Sequence, residues 1–270
     1  MKDQETPIQP EEIKYLPEVR FQLADTDSEA DHFYGFIMES DSGRWIDTFI
    51  KVYPELVQRL QITKDKKEAM EVCEKFSQEQ HALNKKEILA SKELFEVEWK
   101  KIEKEFLSTL SEHLETDWPE EKNEIVGNIT VMPIFPRYLD DYTFFVGYKD
   151  ISRMIETSAH EIVHFLWFKK WKEVFPEIER YQYESPHLAW RLSEIIDPII
   201  LQCQPEIKEL IKPKRWGYSS FEQIKIGDIS MIDHFKKVYL NSVASGNDFS
   251  TTMKLLWEEA KKHEKEISNF

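Results

Sequence analysis

The sequence predicts an α+β protein that is predominantly helical, with a small sheet placed before the helix that carries the candidate site. Only 7 of the 270 residues are glycine, fewer than all-β folds need in hairpins and bulges. Apolar residues recur at steps of three and four over much of the chain, which is the helical period. Hydrophobic residues make up 41% of the chain and aromatic residues 13%, enough to form a packed core.

The charge balance is acidic, with 36 Lys and Arg against 51 Asp and Glu and a formal net charge of −15. Because no long basic cluster is present to neutralise phosphates, nucleic acid is not an expected partner. The chain begins with polar residues and contains no apolar run of about 18 residues, so neither a secretory signal nor a membrane span is predicted. Cys73 and Cys203 are isolated, as in a reducing compartment. We expect a cytoplasmic protein with no membrane partner.

The chain before residue 64 is divided into four segments by its pattern. Residues 1–18 are polar and contain Pro7, Pro10 and Pro17, which indicates a loosely held leader. Residues 19–23 alternate apolar and polar side chains, as in a half-buried strand. A loop is predicted at 25–31. Clustered apolar residues then predict helix over 33–60.

The clearest helical pattern lies in the segment 64–114, where apolar residues recur every three or four positions. The opposite face is rich in charge, as on a solvent-exposed helix surface. The pattern predicts one long amphipathic helix or two helices broken near Asn84. A coiled-coil dimer is less favoured, because the heptads lapse around 84–87. We expect residues 1–117 to form a mainly helical N-terminal lobe.

Residues 118–270 are predicted to form a second unit in which two strands precede several helices. β-Branched residues indicate a strand within 125–134, and a second apolar run indicates another at 143–148. Ser185 suits a helix N-cap and Pro186 the first helical position. Helices are accordingly predicted at 152–172, after Ser185–Pro186, at 228–242 and at 248–267.

The most informative string is His160-Glu161-Ile162-Val163-His164. In a helix, side chains four residues apart emerge about 40° apart and one turn along the same face, so the two imidazoles can share one metal ion. Glu161 lies about 60° around the helix from His164, close enough to reach a water molecule at that ion. The string therefore predicts a metal site with an adjacent carboxylate base.

The neighbours of this string strengthen the metal hypothesis. Chance alone places such a string in about three of a hundred chains of this composition. The flanking side chains, however, are apolar, among them Ala159, Phe165 and Trp167. Burying the two histidines and the glutamate without partners would be very costly, and a metal ion would offset that cost for all three. The alternative is a pair of core histidines hydrogen-bonded to neighbouring carboxylates.

Over residues 157–167 the chain resembles the zincin metallopeptidases. Over about 125–200 the predicted order of strands and helices is also similar to theirs. The resemblance implies zinc as the metal, one ion per chain, in a zincin-like domain at 118–270. In zincins, a strand before the active-site helix forms the edge of a sheet along which an extended substrate lies. The segment 144–148 is in the right place for that strand.

Which branch of the zincins the chain resembles depends on the third metal ligand. A metzincin would place glycine and histidine where this chain has Trp167 and Lys170, so that branch is excluded. The chain is closer to the gluzincins, the thermolysin-like branch, in which a glutamate of the next helix is the ligand and a following aspartate orients a ligating histidine. The resemblance assigns these roles to Glu194 and Asp197.

Two departures from the thermolysin-like pattern leave alternatives open. Asp197 follows Glu194 by three residues instead of four, and Pro198 comes next, where it is expected to kink or end the helix. Glu184 has the better spacing from the second histidine but precedes the predicted helix. His187 lies on nearly the same helical face as Glu194. Both remain alternative third ligands.

The resemblance predicts a mechanism in which Glu161 acts as general base on a water molecule at the zinc ion and then passes the proton to the leaving amine. Gluzincins add a tyrosine or histidine that donates to the oxyanion. The sequence does not choose among the available donors, which are His234, Tyr218, Tyr183 and His187.

The sequence thus predicts an intracellular zinc metallopeptidase that acts on a peptide or an extended protein segment. One alternative is a zincin-derived metal-binding or regulatory protein that catalyses nothing. Another is a helical interaction protein built on residues 64–114. The oligomeric state is not predicted.

Overall fold

A computed structural model of the chain describes residues 15–39 and 45–269, so most of the predicted leader lies outside the described residues. The described part is mostly helical with a small mixed sheet, which confirms the predicted fold class at that level. The strands are β1 (Glu18–Leu23), β2 (Glu124–Thr130), β3 (Arg137–Tyr138), β4 (Thr143–Gly147), β5 (Lys225–Ile226) and β6 (Ile229–Ser230).

The helices of the first half are α1 (Thr26–Tyr34), α2 (Ile46–Val52), α3 (Pro54–Gln61), α4 (Lys66–Lys100) and α5 (Glu103–Leu114), with a π-helical turn at Gly35–Glu39. Those of the second half are α6 (Ile151–Val174), α7 (Leu188–Cys203), α8 (Pro205–Ile211), α9 (Ser220–Gln223), α10 (Met231–Ala244), α11 (Phe249–Lys262) and α12 (Glu264–Ile267), with a 3-10 turn at Arg180–Tyr183.

The main sheet has the strand order β1-β2-β4-β3. β1 and β4 are both parallel to β2, and the short β3 is antiparallel to β4. β1 comes from the first 117 residues and pairs with β2 from residue 124 onward, so the sheet crosses the predicted boundary between lobes. The division at 117 and 118 itself stays a prediction.

The prediction that 144–148 forms the sheet edge is wrong. β4 lies between β2 and β3, and the edge strand on that side is β3. β3 has only two residues and follows Pro136. It is therefore too short to show the alternation from which strands are predicted.

The sheet packs on α4 through a cluster of aromatic rings. The ring of Phe21 on β1 lies 4.4 Å from the ring of Phe95, between centroids, and 6.0 Å from that of Trp99. Gly127 on β2 leaves room for these rings, since a Cβ at this position would lie 2.4 Å from the Phe21 ring and 2.9 Å from the Phe144 ring. A larger residue at position 127 would displace the packed rings.

Three predictions for the first half need correction. The loop predicted at 25–31 is mostly helix α1, because the Asp25 side chain caps its first turn by accepting from the N–H groups of Asp27 and Ser28. The helix predicted at 33–60 is divided into α1, α2 and α3. The segment 64–114 is two helices, but the break is at 101–102 and not near Asn84, whose side chain donates to the Gln80 carbonyl within α4.

In the second half, α6 matches its predicted range within two residues. α7 begins two residues after the predicted start, with His187 and not Ser185 at its N-cap. Pro198 does not end α7, which continues to Cys203. Within the described residues, no helix combines the length and apolar character needed to cross a bilayer.

Candidate metal centre

α6 carries the His-Glu-x-x-His string into the interior of the molecule. The helix starts after Asp150, whose carboxylate accepts from the Arg153 N–H. Further along it, His164 is fully buried and Glu161 is 7% exposed, whereas the His160 side chain is 21% exposed. α6 therefore presents the string at the inner end of an opening, with His160 closest to solvent.

α7 packs on α6 and brings Glu194 to the two imidazoles. The Nε2 atoms of His160 and His164 are 3.2 Å apart. Each Nε2 lies 3.4 Å from an oxygen of the Glu194 carboxylate, Oε2 for His160 and Oε1 for His164. The three side chains thus point their metal-binding atoms at one common space.

The spacing of these three groups fits zinc. Ligand atoms at about 2.0–2.1 Å from a tetrahedral zinc ion lie about 3.3–3.4 Å from one another. The two Nε2 atoms are 3.2 Å apart, and each lies 3.4 Å from a different oxygen of Glu194, so each of these pairs has about that separation. Two imidazoles and one carboxylate also form a ligand set found in catalytic zinc sites, which retain a position for water or substrate.

Asp197 lies on the far side of His164. Its Oδ2 is 2.7 Å from His164 Nδ1, and both side chains are fully buried. One ligand atom from each of His160, His164 and Asp197 also falls within 4.8 Å of the others. Because Asp197 meets the nitrogen that faces away from Glu194, it is placed to orient the imidazole and not to complete the ligand set.

The charges at the centre depend on one another. Burial lowers the pKa of His160, but the contact with Glu194 and the charge of Glu161 outweigh it and raise the pKa to about 9. Burial would raise the pKa of Glu194, whereas His164 and His160 hold it well below its usual value. Without a metal ion, the site is therefore a protonated imidazole paired with an ionised carboxylate.

Glu161 lies in a different environment from Glu194. Burial raises its pKa above the usual glutamate value, although His160, His164 and Arg137 act in the opposite direction. Among the described residues, its carboxylate takes part in no hydrogen bond or ion pair. A carboxylate of raised pKa without a fixed partner suits a general base.

A cavity of about 500 Å³ opens onto these residues. His160, Glu161 and Glu194 line its inner end. Other parts of the wall come from Trp45, Phe135, Arg137, Trp190, Arg215 and Tyr218. The volume is in the range of small-molecule sites.

Arg137 on β3 is a residue that the sequence did not predict. Its Nη1 lies 3.5 Å from Glu194 Oε1, and its side chain is only 7% exposed. The guanidinium carbon lies 5.6 Å from the centre of the Phe168 ring, in cation–π geometry. A single arginine after a proline belongs to no sequence pattern. Its position at the site is therefore known only from the folded structure, in which β3 lies near α7.

Glu156 is also absent from the predicted site. It lies one turn before His160 on α6 and accepts from the backbone N–H groups of Lys214 and Arg215 and from the Arg215 guanidinium. These bonds tie one wall of the cavity to the helix that carries the histidines.

Neither alternative third ligand is in contact with the two imidazoles. Glu184 lies in the cavity wall, but its carboxylate is 2.8 Å from Arg180 Nη1 and its side chain is 44% exposed. The His187 ring lies 5.0 Å from the Tyr181 ring. Within the described residues, Glu194 is therefore the carboxylate best placed to complete the set.

The predicted oxyanion donors differ in their position relative to the cavity. Tyr218 lines the cavity. The Tyr183 hydroxyl donates to the Ile178 carbonyl at 3.3 Å. The prediction of His234 as a donor is wrong, because this residue is on α10 with its Nε2 2.9 Å from Glu259 Oε1, outside the cavity wall.

Comparisons of the chain with models of protein families, with curated proteins and with solved structures gave no match.

Proposed function

We propose that the protein is a zinc-dependent metallopeptidase. The observation that carries the proposal is the convergence of His160, His164 and Glu194 at 3.2–3.4 Å, with Glu161 beside them at the inner end of an open cavity. A zinc ion held by the three ligands would supply Lewis-acid chemistry, which polarises a substrate carbonyl and makes a water molecule more acidic.

In this proposal, side chains of the protein transfer the proton, orient a ligand and stabilise the developing charge. Glu161 accepts a proton from the water molecule that attacks the peptide carbonyl, and it returns the proton to the leaving amine as the C–N bond breaks. Asp197 fixes the His164 ring in the orientation that presents Nε2 to the ion. Tyr218 is the remaining predicted donor in the cavity wall, where it can stabilise negative charge on the carbonyl oxygen.

The edge of the sheet supports the proposed class of substrate. Among the strands of the described residues, β3 pairs with β4 alone, and its residue Arg137 lies in the cavity wall. An extended peptide can pair with the free side of such a strand through its backbone. The proposed substrate is accordingly a peptide or an extended protein segment.

Metal content and hydrolysis of a peptide library test the proposal together. The wild-type protein is expected to retain one tightly bound zinc ion and to cleave peptides. H160A should lose the tightly bound ion and the activity, because it removes a ligand. E161Q should retain the ion and lose the activity, whereas H187A, a histidine outside the centre, should retain both.

Each unfavourable outcome has a distinct meaning. Absence of tightly bound zinc in the wild-type protein would contradict the metal centre. Tightly bound zinc without hydrolysis of any peptide would instead support the non-catalytic metal-binding alternative.

A further inference from the structure

A second group of side chains with metal-binding chemistry lies outside the cavity, and the proposed function does not use it. His234 is in the first turn of α10, Glu259 is in the last turn of α11, and His263 follows directly after α11. One ligand atom of each residue lies within 4.8 Å of the others. Two helices therefore bring two imidazoles and one carboxylate together.

The two imidazoles are directed at the same atom. His234 Nε2 is 2.9 Å and His263 Nε2 is 3.3 Å from Glu259 Oε1. The two rings lie 5.0 Å apart between centroids. The other oxygen of Glu259 accepts from Lys262 Nζ at 2.9 Å, which holds the carboxylate in this orientation. The ligand atoms are thus arranged before any ion arrives.

The position of Glu259 and His263 at the end of α11 also favours a cation. His263 lies at the C-terminal end of α11, where the helix dipole favours positive charge. On its other side, His263 Nδ1 is 3.9 Å from Glu266 Oε1, which is beyond hydrogen-bond distance.

We propose that His234, Glu259 and His263 form a second binding site for a divalent transition-metal ion such as zinc, weaker than the centre on α6 and α7. Two imidazoles and a carboxylate match the ligand preference of zinc. The side chains of His234, Glu259 and His263 are 19%, 19% and 25% exposed, so water can complete the coordination.

The position of this site gives it a structural role. α10 and α11 pack on each other, and both pack on α7, which carries Glu194 and Asp197. An ion that joins α10 to α11 therefore stabilises the support behind the candidate metal centre. The same convergence without an ion would be a hydrogen-bond network in which one carboxylate oxygen accepts from both rings.

Isothermal titration calorimetry, in which zinc is added to the chelator-treated full chain, distinguishes a metal site from a hydrogen-bond network. The wild-type protein is expected to bind two ions in two resolved steps. The double variant H234A/H263A should keep the tight step and lose the weaker one, with a fall in affinity of at least about 100-fold. E259Q keeps the shape of the side chain and removes its charge, so it should weaken the same step without disturbing the fold.

Two controls make the result specific. H160A/H164A should lose the tight step and keep the weaker one, so a failure of the proposed function is distinguishable from a failure of this inference. H187A should keep both steps. A wild-type protein without the weaker step, or a weaker step that is unchanged in both H234A/H263A and E259Q, would overturn the proposal.

Discussion

Single side chains around the imidazole pair have separate tasks, and the carboxylates show this most clearly. Glu194 meets the Nε2 atoms of both histidines, and Asp197 meets Nδ1 of one of them. Glu161 faces the cavity and has no hydrogen-bond or ion-pair partner within the described part of the chain. The sequence predicted His160, Glu161 and His164 from helical spacing alone, because residues four apart share a face whatever the rest of the fold. Glu194 and Asp197 required a resemblance, since no local pattern relates α7 to α6.

The orienting role proposed for Asp197 predicts an effect on metal affinity. D197N keeps the volume of the side chain but removes the charge next to His164 Nδ1. Loss of such a partner weakens metal binding by about 10–100-fold. Competition with a chromophoric zinc chelator measures the change.

D228N is the matched control, because Asp228 is exposed in the turn between β5 and β6. It is expected to leave zinc affinity unchanged. An affinity for D197N equal to that of D228N would show that Asp197 does not orient a ligand.

The raised pKa of Glu161 predicts how the stability of the metal-free chain depends on pH. A carboxyl group with a higher pKa in the folded state than in the unfolded state favours folding only while it is protonated. That contribution is complete below the usual glutamate pKa of 4.5 and is lost as the pH rises through the raised value. E161Q, which stays neutral, should therefore be as stable as wild type at low pH and more stable at neutral pH.

Urea unfolding in the presence of a chelator, at a series of pH values, measures this difference. E39Q provides a control, because Glu39 is exposed and ion-paired with Lys66 at the surface. A difference between E161Q and wild type that does not grow with pH would contradict the assignment of a buried, destabilised carboxyl.

Helices and strands differ in how far the sequence reveals them. α6 and β1 were predicted nearly to the residue. β1 alternates apolar and polar side chains, and α6 is an uninterrupted run of 24 residues without glycine or proline. The short β3 and the break between α4 and α5 were not predicted, because tertiary packing sets them. The parallel pairing of β1 with β2 joins residues more than 100 positions apart, and no local pattern indicates a partner at that distance.

One buried carboxylate joins three of these elements. Glu29 on α1 is fully buried and accepts from Ser77 of α4 and from Thr130 of β2. His81 of α4 lies 2.9 Å from the same carboxylate. Because donors of two other elements bond to this buried carboxyl group, it fixes how α1 and α4 lie against the sheet.

Removal of this carboxylate is expected to be costly. E29A leaves its donors buried without an acceptor, and breaking such a network lowers the free energy of unfolding by about 3–5 kcal/mol. Chemical denaturation monitored by circular dichroism measures the change. E71A removes an exposed glutamate of α4 that is ion-paired at 3.9 Å and should cost about 0–1 kcal/mol. A similar small effect for E29A would contradict the role given to Glu29.

At the scale of the whole molecule, the candidate metal centre lies between α6 and α7, and both helices are supported from several sides. α6 contacts β4, α4 and α5, whereas α7 contacts α10 and α11. Trp167 and Trp171 of α6 are buried against Phe249 and Trp257 of α11. We expect this packing on several sides to hold the proposed ligands of the two helices at a fixed spacing.

The central claim is that these two helices hold one zinc ion, and crystallography with anomalous scattering at the zinc absorption edge tests it most directly. A peak is predicted between the Nε2 atoms of His160 and His164 and the carboxylate of Glu194, at about 2.0–2.2 Å from each. A crystal grown with zinc that shows no peak there, or a peak coordinated by only one of the two imidazoles, would contradict the account.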